Sequence, residues 1–476
     1  MKRAGLLSAL VVSLLAQGAV PERLLSHATN HAAEIRFLGL QPYLDATDTR
    51  HTKIAILGHR FAGALSGDGS PQDGYLPKTA EFSLGNDDSA EFSIDATDDT
   101  DRKLAQAIWA MLDYSEDDAP KFRLFNARGP VNFRSAVQAA IEWGADVIYN
   151  TETIPGFGNG DGTGPIHALL QKAALADILW IQDAKRYRDH VYRVPVSCVK
   201  GQVVFPGNQN SATFYLLSDN QKVRIDLSYN RWGVSTNITG TADDLDLTLL
   251  DGPNGAVLAQ SQTKQRLETT AGDNDRELLP LESVEATLGK RDEKSPYHIV
   301  VKCKGTFDAA RDTLQLVVTT NRPPTLDEAG QEKSPLQALR TSESSLVVPQ
   351  DSLPGVAVMV GDLTRYSTRG AVFTLAGRRI AKPEITLEPG SLSFSDDTAV
   401  SGPDLAGARI AALAVLLRAH SPTFGPKHFY AFARKHMNST QLETDLRDGL
   451  RNARSTSQLF VPPAPKDFAT WLRDNQ

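Results

Sequence analysis

At 476 residues, 41% of them apolar, the chain can bury at least one large core, and its length suits two or three domains. A formal net charge of −7 leaves no basic excess to neutralise phosphates, which argues against a nucleic-acid partner. Cys198 and Cys303 are the only cysteines, and neither has a histidine at catalytic or metal-binding spacing.

The chain opens Met1-Lys2-Arg3 and continues apolar from Ala4 to Ala16, too short to span a bilayer and flanked by base. With Ala16-Gln17-Gly18 as a small-x-small cleavage site, residues 1–19 read as a secretory signal peptide; a buried N-terminal helix is the alternative. No later segment is long and apolar enough to anchor the mature chain in a membrane, so a secreted or periplasmic location is expected. In that setting Cys198 and Cys303 are compatible with one disulfide, and equally with two buried thiols.

An N-terminal segment, 20–50, carries little signal. Lys53 to Leu57 then reads as a buried strand ending at Gly58-His59. The acidic loop holding Asp87, Asp88, Glu91, Asp95, Asp98 and Asp99 has no cation-binding spacing and reads as a solvated face. Leu104, Ile108, Met111 and Leu112 mark an amphipathic helix, followed by a strand at Lys121–Asn126. A helix showing Phe133, Val137 and Ile141 leads into the strand 146–150. Pro165 opens another helix, which feeds the strand 178–181. Such alternation predicts a parallel sheet flanked by helices. The glycine run from Gly158 to Gly164 lacks the Gly-Lys-Ser/Thr ending of a phosphate loop.

From about Pro195 the pattern becomes strand and polar turn, as in Leu245–Leu250, His298–Val301 and Leu314–Val318, so 195–322 is expected to be an all-β sandwich. Residues 323–345 read as a linker, 346–440 as the return to the α/β domain begun at 51–194, and 441–476 as a polar tail with aromatics at Phe468 and Trp471. Asn237-Ile238-Thr239 is a glycosylation sequon. Pro403 and Asp404 open a helix in which Asp404 is expected to cap free N–H groups; Ile410, Leu413 and Leu417 give it one buried face, and its alanine-rich neighbours let it sit deep. Pro426 to Met437 reads as the closing helix, with Phe429, Phe432, Ala433 and His436 on one side.

Several of these stretches resemble motifs of the subtilisin-like serine peptidases. Tyr366-Ser367-Thr368-Arg369-Gly370 is similar to that family's Tyr-Ser-Ser-Arg-Gly, and Lys382-Pro383-Glu384-Ile385 to its Lys-Pro-Asp-Ile. Asp161-Gly162-Thr163-Gly164-Pro165-Ile166 resembles one branch of it. Ser401 to Leu417 resembles the nucleophile helix, with Gly402 and Ala406 in place. The resemblance implies a subtilisin-like parallel sheet carrying an inserted, jelly-roll-like sandwich (an α/β fold class). It also implies that the triad positions hold Gly58, Asp101 and Asp404, with Arg186 where the family keeps its oxyanion asparagine and Arg409 where it has histidine.

Acyl transfer needs a hydroxyl, a base titrating near neutrality and donors for the oxyanion. No catalytic triad is intact in this reading, and no cofactor or metal is implied. An exported pseudopeptidase binding protein or peptide through His59, Asp101, Arg186, Asp404 and Arg409 is therefore the first expectation. The expected core of that cleft is an Asp101–Arg186–Asp404 charge cluster, extended by Arg409. A functioning serine endopeptidase using another Ser/His pair is the second expectation, and a carboxylate- or metal-dependent hydrolase built on Asp101 and Asp404 the third.

Overall fold

The computed structural model describes residues 40–65 apart from 46, then 76–83, 98–112, 119–187, 190–232, 243–262, 280–320 and most of 346–435, with three short strands between 325 and 338. The expected signal peptide, most of the acidic loop, the Asn237 sequon, Tyr366, Arg369, His436 and the tail lie outside the described residues.

Strand β1, Lys53–Gly58, is an interior strand of the main sheet, with Ile54 to Leu57 wholly buried. Apolar side chains on both faces are what a strand covered on two sides requires. Around it lie β2 (Glu81–Ser83), β3 (Lys121–Asn126), β4 (Val147–Asn150), β5 (Leu179–Asp183), β6 (Val358–Asp362) and β7 (Ile385–Leu387), in the order β2-β3-β1-β4-β5-β6-β7. Every neighbouring pair is parallel.

Helices α1 (Thr100–Leu112) and α4 (Gly402–His420) cover one face, and α2 (Gly129–Trp143) and α3 (Pro165–Leu175) the other. A fifth helix, α5 (Pro426–Lys435), packs Phe429 and Phe432 beside Phe424 against the first core. Here the helices depart from the expected patterns. Helix α4 is buried on all sides from Leu405 to Leu417, because it lies between the sheet and α1 rather than at a surface. Helix α1 is also buried all round, and the charges of Arg102 and Lys103 are answered by Asp99, 2.8 Å from Lys103.

Between β5 and β6 the chain builds two packed antiparallel sheets. One has the order Leu281–Leu288, Gln221–Tyr229, Thr313–Thr320, Val191–Pro195; the other runs Val257–Ser261, Asp244–Leu250, Tyr297–Lys304, then the hairpin 198–203. Ile225, Leu247, Ile299, Val301 and Leu316 are fully buried between them. The sandwich therefore starts at Val191 rather than near 195, since Val191–Pro195 pairs with Thr313–Val317. The expected linker also contributes: Leu336–Ala338 pairs with Phe214–Leu216, satisfying the backbone of an edge strand. Cys198 and Cys303, 6.3 Å apart at Cα, form a disulfide tying the 198–203 hairpin to its neighbour.

The glycine run is where the sandwich meets the α/β domain. Gly160 has φ +76°, and a Cβ there would lie 2.6 Å from the guanidinium of Arg193, which donates to Gly160 O at 3.1 Å. Asn159 grips the backbone of Trp232 at 2.9 and 3.1 Å, and Phe157 packs on the Trp232 ring. Behind the loop, His167 Nε2 lies 2.9 Å from Asp351, both buried. Gly160 thus makes room for the sandwich, and Gly158 and Gly162 for Val348 and Leu353 of the α/β domain, which explains the run without any phosphate.

Candidate functional site

Because all the sheet strands are parallel, β1, β4 and β5 end on the same edge, the usual place for a ligand in an open α/β sheet. The first turns of α1 and α4 meet there, bringing Gly58, His59, Asp101, Asp183, Lys185 and Asp404 around one cleft.

Gly58 leaves the space that its neighbour fills. A Cβ at Gly58 would lie 2.6 Å from Asp101 Oδ2 and 2.9 Å from Thr151 Oγ1. The Asp101 carboxylate, fully buried, accepts from His59 N at 3.0 Å, Arg60 N at 2.9 Å and Arg60 Nε at 3.1 Å on one oxygen, and from Arg60 Nη2 at 2.5 Å on the other. This is the two-point guanidinium–carboxylate geometry. Burial alone would push the Asp101 carboxyl up, but the charges of Arg60 and Lys185 outweigh it and hold it below the ordinary carboxylate range.

Asp404 answers a different cation. Its Oδ1 accepts from Lys185 Nζ at 2.7 Å, and although burial raises its carboxyl, the charges of Lys185 and Arg60 bring it below the usual range. The expected capping role does not materialise: Ser401 is the N-cap residue of α4, without a side-chain cap bond, and the Asp404 side chain turns to Lys185 instead. Its charge still sits in the first turn, where the helix dipole favours it. Lys185 holds a left-handed backbone, φ +56°, an unusual conformation for a lysine. Burial pulls its ammonium down, yet Asp404 and Asp183 raise it above the ordinary lysine value.

Beneath this pair lies Asp183. Its Oδ2 accepts from Tyr149 at 3.0 Å and is 3.2 Å from Lys185 Nζ, while Oδ1 has no hydrogen-bond partner among the described residues and is packed against Gly407. Burial pushes this carboxyl well above its ordinary value, against the opposing pull of the Lys185 charge, and the nearby Asp404 carboxylate raises it further. The Tyr149 hydroxyl also lies 2.9 Å from Asp404 O, so that its one proton is shared between the two oxygens and joins β4 to α4.

Asp101 is thus paired with Arg60 and Asp404 with Lys185, two partners the expected cluster did not include, while the charge of Arg186 also acts to lower the Asp404 carboxyl. Arg186 lies against Gly402, whose φ of +72° and lack of a Cβ admit the guanidinium; a Cβ there would be 2.6 Å from Nη2. Arg409 is buried and packs on Gly390. His59 stands at the mouth, Nδ1 2.6 Å from Glu152 Oε1. Sequence reasoning overlooked Arg60, Glu152, Lys185, Asp183 and Tyr149. The first two flank positions that were singled out or end a strand, and Lys185 is one register step from Arg186.

His59, Asp101 and Glu152 bring ligand atoms within 4.8 Å of one another. They do not suit a cation, because the Asp101 oxygens are already occupied by Arg60 and two backbone N–H groups. The same arrangement removes Asp101 and Asp404 as an acid–base pair, since each is held ionised by its own cation. Two hydroxyls nearby are committed: Thr151 to Leu57 O at 3.0 Å, and Tyr149 to Asp183 and Asp404. A serine within reach of an imidazole does occur, Ser211 to His298 at 2.7 Å, but it lies on the sandwich.

Comparison with solved structures finds proteases. The Clostridium perfringens CspB protease aligns with TM-score 0.44 at 10% identity, over 84% of this chain and 90% of that one. The psychrophilic subtilisin-like protease Apa1 from Pseudoalteromonas aligns at 0.31 and 10%, over 85% and 90%. MycP1 from Mycobacterium smegmatis aligns at 0.30 and 10%, over 85% and 77%. No protein-family profile and no curated protein matches the chain. Residue roles therefore rest on this chain's own geometry.

Proposed function

We propose that this is an exported protein with a subtilisin-like scaffold that binds a protein or peptide at the C-terminal edge of its parallel sheet without cleaving it. One observation carries the reading. Where acyl transfer would need a hydroxyl, a neutral base and oxyanion donors, the chain has interlocked charges: Asp101 sealed by Arg60, and Asp404 held by Lys185 above the buried Asp183. In subtilisin itself, loss of the nucleophile or the base alone costs on the order of a millionfold in turnover. Export is supported by the basic-then-apolar start of the chain, and no helix among the described residues is long and apolar enough to cross a membrane.

The groups left at the mouth are polar and partly open: the side chains of His59 and Asp404 are 21% and 20% exposed, and that of Lys185 13%. Such a rim offers a peptide hydrogen bonds and charge without a reactive atom. The experiment incubates the full chain with a peptide digest of denatured casein and analyses the retained peptides by mass spectrometry. A retained subset with unchanged termini, lost in a Lys185→Ala/Asp404→Ala variant that stays folded, is the expected result. New termini, or a serine labelled by fluorophosphonate, would show a working peptidase; no retained peptide would sink the binding role.

A further inference from the structure

One group at the mouth of the cleft stands outside its two ion pairs: the His59 side chain. Its Nδ1 lies 2.6 Å from Glu152 Oε1, which sets how the ring is turned, and the side chain is 21% exposed. Nε2 has no hydrogen-bond partner among the described residues. A carboxylate at one ring nitrogen orients an imidazole and leaves the other nitrogen to meet what enters.

The charges around His59 come from every element that reaches this edge of the sheet. Arg60 follows β1, Asp101 lies in the first turn of α1, and Glu152 follows β4. Lys185 and Arg186 follow β5, and Asp404 lies in the first turn of α4. The acids Asp101, Asp404 and Glu152 all act on Arg60, while Lys185, Arg60 and Arg186 all act on Asp404. These charges balance, cation for acid. Burial biases Asp183 beneath them toward its neutral form and keeps the Tyr149 and Tyr187 hydroxyls protonated. Histidine is the side chain whose charge ordinarily changes between about pH 5 and 8. A proton on His59 therefore tips a balanced site to a positive excess.

Such an excess takes an anion, and donors for one are in place. Arg60 gives Nε and Nη2 to Asp101, and its Nη1 has no partner among the described residues. Lys185 Nζ bonds Asp404 Oδ1 and lies 3.2 Å from Asp183 Oδ2, which leaves the third N–H of the ammonium. On a peptide, the anion that suits these donors is a carboxylate, carried by an acidic side chain or by the C-terminus.

We propose that His59 is the specificity-determining residue of the cleft: protonated, it holds peptide carboxylates there, and neutral, it lets them go. This rests on the peptide-binding reading above, and it adds the class of peptide and the condition under which it is held. An opposite charge within about 4–6 Å shifts a titration midpoint by about 1–3 pH units. Because coupling is reciprocal, the proton tightens carboxylate binding by at least about tenfold.

The experiment repeats the retention of a dephosphorylated casein digest by the full chain at about pH 5.5 and about pH 7.5, at constant salt. Peptide carboxylates, titrating near about 4, are ionised at both. Peptides rich in Asp and Glu are expected to be retained at least about tenfold more at the lower pH. In His59→Gln, which keeps a donor for Glu152, that ratio falls below about twofold. A methyl-esterified digest shows no gain at the lower pH. Retained peptides remade with an amidated C-terminus, or with Asn and Gln for Asp and Glu, show which carboxylate is held. Equal retention at both pH values, or a gain that survives His59→Gln, overturns the proposal and leaves peptide binding standing. No retention at either pH removes the peptide-binding reading and this inference with it. As a readout independent of the variant, a retained peptide raises the NMR titration midpoint of the His59 imidazole by about one pH unit or more. An unmoved midpoint counts against the proposal.

Discussion

The cleft and the joint with the sandwich bury charge in opposite ways. At the cleft, Arg60 with Asp101 and Lys185 with Asp404 form complete pairs, and their outer atoms still reach solvent. At the joint, His167 and Asp351 are 2% and 0% exposed, and His167 Nδ1 and Asp351 Oδ2 have no partner among the described residues. Arg193 beside them is also deeply buried, which lowers its guanidinium despite the charges of Asp351 and Asp161. A half-open cluster with its two ion pairs made is suited to meeting a ligand, although Asp183 Oδ1 beneath it has no hydrogen-bond partner among the described residues; a sealed cluster serves to specify how two domains seat. The cleft is therefore where substitutions should change recognition, and the joint is where they should change assembly.

The largest effect should come from breaking one partner of a buried pair. Asp101→Asn leaves the Arg60 charge uncompensated and should cost about 3–5 kcal/mol in a urea titration at neutral pH. Next, the joint should fail on steric grounds. Gly160→Val puts a branched side chain at φ +76° into the Arg193 guanidinium, a loss of roughly 1–3 kcal/mol, with the sandwich becoming sensitive to proteolysis while the main sheet stays resistant.

A pH titration sharpens the contrast within the cleft. Asp101 and Asp404 are held below the ordinary carboxylate value of about 4, so the stability they contribute is complete above about pH 4 and is lost as pH falls below it. Asp183 is raised, so its contribution is present at acid pH and is lost as pH rises past about 4 toward its folded value. Asp183→Asn should accordingly flatten the alkaline side of the stability profile and leave the acid side alone. An unchanged alkaline side would mean that Asp183 is ionised in the folded protein over that range. The smallest effect is expected on the sandwich surface, where removing the exposed Lys222–Glu285 pair should change stability by less than about 1 kcal/mol.

Much of the scaffold was legible before any coordinates. Ile54 to Leu57, Val147 to Tyr149 and Leu179 to Ile181 are uninterrupted apolar runs between helical periods, and only a parallel sheet buried on both faces accommodates that order. The switch to short strands and polar turns announced the sandwich for the same local reason. Gly58, Asp101 and Asp404 were placed near one another by motif order, and the strand ends explain why they meet.

What the sequence left open was which charge answers which. Arg60 and Asp101 are forty-one residues apart, Lys185 and Asp404 two hundred and nineteen, and no periodicity links them. Their pairing follows from the sheet bringing β1, β5 and the first turns of α1 and α4 to one edge. The all-round burial of α4 was likewise decided by packing, since its sequence shows the apolar residues but not that α1 would cover the remaining side. Local pattern determines elements because backbone geometry repeats within a segment. Partners, and the titration of buried groups, depend on distances and desolvation that exist only once the chain has folded.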